Sequence, residues 1–133
     1  MLKNIFKRLS PINSDLSFIQ TYENKSMYFV RTSPWGWLNK EEIYIPKNID
    51  GNPTMITLDF WSQEIYLDAT GQITVSELIE VACKQYIASG MDIPEGIDQL
   101  LVESLESLIY DLKIVEFSKE KKQLPQNIKE PIS

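Results

Sequence analysis

The chain has no histidine and a single cysteine, Cys83, among its 133 residues. Without histidine, Ser-His-Asp and Cys-His catalysis cannot be assembled, and the commonest transition-metal ligand is missing. One cysteine allows no disulfide within the chain and no zinc site of the usual composition. Only five glycines are present, too scattered for a phosphate-binding loop or a dinucleotide fingerprint. No apolar run approaches the roughly 20 residues that span a bilayer. No charged start, apolar stretch and cleavage site follow one another at the N-terminus. The expectation is a soluble protein of the cytoplasm, kept reduced, with no cofactor and no enzymatic activity.

What is present is an ordinary share of apolar residues, 43%, enough to build one core without metals or disulfides. The net charge of −6 is unevenly spread. Residues 71–117 hold two cations, Lys84 and Lys113, against nine acids, a balance of −7. Residues 1–25 and 118–133 each carry +2. An acidic body repels phosphate backbones, so nucleic acid is an unfavoured partner.

The hydropathy pattern divides the chain into an N-terminal extension (1–25), a folded body (26–117) and a polar, mobile tail (118–133). In the extension, Leu2, Ile5, Phe6 and Leu9 recur at helical spacing with Lys3, Lys7 and Arg8 between them. Such a helix could dock on the body, or bind a membrane surface or a partner. Ser26–Thr32 and Glu42–Pro46 are rich in strand formers. Asp50-Gly51-Asn52-Pro53 is the strongest turn signal. Thr54–Phe60 alternates, with Ile56, Leu58 and Phe60 on one side. Residues 61–67 read equally as a short helix or a returning strand. Thr74-Val75-Ser76-Glu77 is a capping box that opens a helix with Leu78, Val81, Ala82 and Tyr86 as its stripe and Gly90 as its end. A second helix is expected from Pro94 to Leu112, with Ile97, Leu101, Leu105, Leu108 and Leu112 facing the core. Ile114–Phe117 reads as a closing strand. The fold class is therefore α+β: a small antiparallel N-terminal sheet followed by a helical bundle.

Carboxylates are plentiful, but Glu95, Asp98, Glu103, Glu106 and Asp111 lie mostly off the apolar stripe and read as a solvated helix face. Asp59 and Glu64 flank Trp61 without the surroundings of a hydrolase cleft, and residues 50–59 lack calcium-loop spacing. Cys83, beside an apolar stripe, reads as an inert buried thiol. Trp35 and Trp37, with Tyr28 and Tyr44 nearby, could be binding anchors or the edge of the core.

From Leu58-Asp59 through Ile65 and Gly71 to Thr74-Val75-Ser76-Glu77, the chain resembles the PqqD-like family, or RiPP recognition elements. The residue before Gly71 is Thr70 where the family often has Asp, and Asp68 stands where an apolar residue is usual. The resemblance covers about residues 26–117. It implies a winged-helix-like domain that binds the leader of a precursor peptide and presents it to a modifying enzyme. By position it implies a peptide-binding edge at Thr54, Met55, Ile56, Thr57, Leu58 and Asp59. The helix it implies as the groove's other wall is Pro94–Leu112; there Val102 and Ile109 flank the core stripe and either line the groove, together with Leu105, or widen the core contact. The alternatives are an acidic protein-binding domain of immunity type and a winged-helix DNA-binding regulator. The second is disfavoured, because Glu95–Leu112 contains no Lys or Arg. An open edge would also allow a paired or swapped dimer.

Overall fold

The computed structural model describes residues 16–133. The expected amphipathic segment from Leu2 to Leu9 lies outside the described residues. Two small antiparallel sheets and five helices make a mixed α/β fold among the described residues.

The first sheet forms around β1 (Tyr28–Arg31), which lies between β5 (Thr70–Thr74) and β6 (Val115–Ser118). Tyr-Phe-Val favours an extended backbone. A central strand is covered on both faces, and Phe29, Val30 and Arg31 are all buried. Phe29 pairs with Phe117 and Val30 with Glu116, while the β5 side carries a bulge between Tyr28 and Val30.

The second sheet is a ribbon of β2 (Gly36–Trp37), β3 (Ile43–Ile49) and β4 (Asn52–Ile56). Asp50 and Gly51 join β3 to β4 with φ of 52° and 80°. Two successive positive φ values make the turn whose twist matches a hairpin. Ile43 and Ile45 are fully buried, and the far end of the ribbon stands in solvent. Gln63 ties the ribbon to the body by accepting from the Ile43 amide at 3.0 Å and donating to the Glu41 carbonyl at 2.7 Å.

Residues 60–68 resolve the ambiguity of the 61–67 segment in favour of a helix, α2 (Phe60–Asp68). The Asp59 carboxylate accepts from the Ser62 amide at 2.9 Å, satisfying a donor that the first turn leaves orphaned. That cap also ends the strand early. β4 stops at Ile56, so Phe60 is an exposed first helical residue rather than the end of an alternating strand.

Helix α3 (Val75–Ala88) opens with both bonds of the capping box, Thr74 accepting from the Glu77 amide at 3.2 Å and Glu77 from the Thr74 amide at 2.9 Å. It ends before Gly90, whose φ is 70°. Its buried stripe is Val75, Leu78, Ile79, Ala82 and Cys83. Val81, expected in the stripe, is exposed. The i, i+3, i+4, i+7 progression from Val75 passes through Ile79 and bypasses residue 81.

Helix α4 begins at Ile97, three residues later than the proline suggests. Gly96, at φ 73°, is its N-cap, and that left-handed residue separates Pro94 from the helix. α4 runs to Glu106 and continues through one π turn, Ser107–Asp111. Its core face is as expected at Ile97, Leu101, Leu105 and Leu108, with Leu112 only partly buried.

Two end segments pack more tightly than their composition suggests. Helix α1 (Ser17–Thr21) buries Ile19, and Leu16 just before it, in the main core, although both belong to the expected extension. The polar tail forms a short helix, α5 (Gln126–Lys129), which buries Ile128. The Ile128 carbonyl accepts from Trp35 Nε1 at 2.8 Å and from Arg31 Nε at 3.3 Å. Two buried donors need an acceptor there, and the tail supplies it. Further along, the Ile132 amide donates to the Trp35 carbonyl at 2.7 Å.

Candidate functional site

The edge expected to take a peptide is β4. Among the described residues it pairs with β3 on one side and with no strand on the other. Thr54, Met55, Thr57 and Asp59 are exposed, while Ile56 and Leu58 lean partly into the core. Backbone parity follows from the turn. In a two-residue hairpin the closing pair, Ile49 with Asn52, is hydrogen-bonded, and bonded pairs then alternate. Asn52, Thr54 and Ile56 therefore point their backbone groups at β3. Pro53 and Met55 point theirs outward. Pro53 has no N–H to offer, a common protection of a strand edge. Met55 is thus the outward amide donor within β4.

The helical wall differs from expectation. Val102 and Leu105 are 0% exposed and belong to the core of α4. Side chains so buried cannot touch a ligand unless the core opens. Ile109 is partly buried and faces another hollow, with Tyr110, Lys113 and Val115, beside β6. The structure therefore keeps only Thr54, Met55 and Ile56 of the expected edge on β4, with Thr57, Leu58 and Asp59 leading on to the α2 cap, and it does not set Val102, Leu105 and Ile109 opposite them as one exposed wall. The buried face of α4 is simply wider than a narrow stripe, running from Ile97 and Asp98 through Leu101 and Val102 to Leu105.

Asp98 is the clearest departure from the solvated-face reading. It is 1% exposed, and its carboxylate accepts from the Ile19 amide at 3.0 Å and from its neighbour's amide, Gln99, at 2.9 Å. Helical periodicity carries no signal for this, because the Ile19 amide that the carboxylate serves lies 79 positions away.

Arg31 was not signalled by any motif. Its guanidinium is buried and donates to the carbonyls of Leu67 at 2.9 Å and Tyr66 at 3.4 Å, as well as to those of α5. It lies 5.5 Å from the Trp35 ring centroid and 5.8 Å from that of Tyr66. Burial lowers its pKa, and Tyr66 and Asp68 oppose that shift. A cation at the carbonyl end of α2 also meets the negative end of the helix dipole. These contacts hold elements together and leave the guanidinium little reach toward a ligand.

Cys83 is buried, and desolvation first, then Asp98 and Glu80, raise its thiol pKa to about 11. A thiol so protonated is a poor nucleophile. Among the described residues, no group of three His, Cys, Asp or Glu is placed to hold a metal ion. None of the described helices is long and apolar enough to cross a membrane. Comparison with protein-family models, with curated proteins and with solved structures finds no match for this chain.

Proposed function

We propose that the chain is a non-catalytic peptide-binding adaptor of PqqD-like, winged-helix-like type. It takes an extended segment of a precursor peptide by strand addition at β4 and presents it to a modifying enzyme. The observation that carries this reading is local. The two stretches that make the resemblance, Leu58-Asp59 and Thr74–Glu77, cap α2 and α3, and an edge strand with no outer partner among the described residues stands just ahead of the first. Short antiparallel strands around three longer helices are compatible with a winged-helix arrangement. Backbone pairing supplies affinity in this mode, and pockets for alternate side chains supply register. With Pro53 silent as a donor, pairing centres on Met55.

The test uses labelled peptides encoded by short reading frames beside the gene, titrated by fluorescence anisotropy into wild type and Met55→Pro. Proline at an outward-facing edge position removes the donor without breaking a bond to β3. Affinity is expected to fall at least about tenfold, one lost charge-neutral bond with its neighbours disturbed. Equal affinity in the two proteins would remove β4 as the binding edge. A second reading, an acidic protein-binding domain, draws on the −7 balance of residues 71–117, and would be favoured by peptide-independent capture of a basic protein.

A further inference from the structure

A groove runs between α2 and α3, on side chains other than those of the β4 edge. At one end, Phe60, Trp61, Tyr86 and Met91 surround a mainly apolar cleft of about 170 Å³. Phe60 and Met91 are 66% and 57% exposed. The Trp61 ring packs edge-on to Phe60, with centroids 5.0 Å apart, and lies 6.2 Å from Tyr86. Aromatic walls that stay rigid yet open to water are what binding anchors fill. Trp61 and Gln85 also wall a small neighbouring hollow of about 10 Å³, where Glu64 and Asp68 stand with Val81.

Those two carboxylates sit four residues apart on α2, a like-charge spacing that costs helix stability rather than adding to it. Among the described residues neither has a lysine or arginine within 4 Å; Lys84, on α3, pairs with Glu80 of the same helix at 3.7 Å. Arg31 does act on Asp68 electrostatically, but its hydrogen bonds go to backbone carbonyls. Burial and Glu64 together raise the Asp68 carboxyl above its ordinary range. An incoming cation would offset the repulsion from Glu64.

We propose that this α2–α3 groove is a docking site for a partner segment that carries one large apolar side chain and one Lys or Arg. The apolar side chain fills the cleft of Phe60, Trp61, Tyr86 and Met91, and the cation meets Glu64 and Asp68. Along α2, Phe60 to Glu64 and Phe60 to Asp68 correspond to about 6 and 12 Å at 1.5 Å per residue. An extended segment rising about 3.3 Å per residue therefore spaces its two anchors two to four residues apart. The site does not depend on strand addition at β4.

The experiment is a selection of displayed 12-residue random peptides on the whole chain, followed by anisotropy titration of the enriched sequences. Three variants are compared: Phe60→Ser, Glu64→Lys and Met55→Pro. Enrichment of an apolar residue followed or preceded by a basic one at that spacing is expected. Affinity should fall about tenfold or more in Phe60→Ser and in Glu64→Lys, and stay within about twofold in Met55→Pro. Circular dichroism of each variant keeps folding separate from binding. No enriched pattern, or binding that survives both groove variants, overturns the proposal. Peptides lost only in Met55→Pro also overturn it, while supporting the β4 edge.

Discussion

Replacing Asp98 by Ala tests whether helix α1 is held to the body through a buried carboxylate. The change removes the acceptor of the Ile19 amide at 3.0 Å and of the Gln99 amide at 2.9 Å. Ile19 itself is 1% exposed, so water cannot readily replace the lost partner. A hydrogen bond to a charged group contributes about 1.5–3 kcal/mol, and an orphaned buried donor costs about 1–3 kcal/mol. The Gln99 amide lies in the first turn of α4, where solvent can reach it, so the Ile19 bond dominates. The expected loss is about 2–4 kcal/mol. With a urea slope of about 1–3 kcal/mol per molar, the unfolding midpoint drops by roughly 1–2 M. Tryptophan fluorescence reports it, since Trp35 is buried in the core. Amide exchange adds a local readout: Ile19 should lose protection first. Asp98→Asn, which keeps one carbonyl oxygen, should lose roughly half as much. An unchanged midpoint, or full protection at Ile19, would refute the tethering of α1.

Three further outcomes follow from other contacts. Gly71→Ala should destabilise the fold by at least about 1–2 kcal/mol, the cost of a left-handed residue with a Cβ; φ there is 81° and an added Cβ would lie 2.6 Å from the Lys122 carbonyl oxygen. A thermal melt checks it, and an unchanged Tm would mean that the segment at Lys122 yields freely. Asp68→Asn should stabilise the protein at neutral pH. The Asp68 pKa is raised in the fold from its ordinary 3.8, so its favourable contribution is present at low pH and is lost as pH rises above that value. Denaturation at several pH values should show the advantage of the variant shrink as pH falls, and an advantage independent of pH would contradict this. Cys83, buried and with a pKa near 11, should react with a disulfide reagent at pH 7 at least about 100-fold more slowly than the unfolded chain. Fast labelling of the native protein would show that α3 opens locally.

Features set by neighbouring residues were legible in the sequence. Thr74 to Glu77 carries a complete capping box, and the structure makes both of its bonds. Asp50-Gly51 marks a turn, and both residues take positive φ. The core face of α4 from Ile97 to Leu108 follows from helical periodicity. Features set by distant partners were not legible. Asp98 is buried because α1 offers it an amide 79 positions away. Arg31 is buried because the carbonyls of Leu67 and Ile128 converge on it from 36 and 97 positions away. The tail reads as polar, and only Ile128 and Ile132 hint that it returns to Trp35. At the candidate site, the exposed β4 residues were legible from alternation and turn chemistry. The helical wall was not, because periodicity places Val102 on a flank without saying how wide the buried face is.

The most direct measurement of the central claim is amide hydrogen exchange of the whole chain, alone and with a peptide encoded beside its gene. Strand addition predicts that the Met55 amide, the outward donor of β4, slows markedly on binding, while the Thr54 amide, already turned toward β3, changes little. If a bound peptide leaves exchange at Met55 unchanged, or if none of the encoded peptides binds, the claim that β4 is a peptide-receiving edge is contradicted.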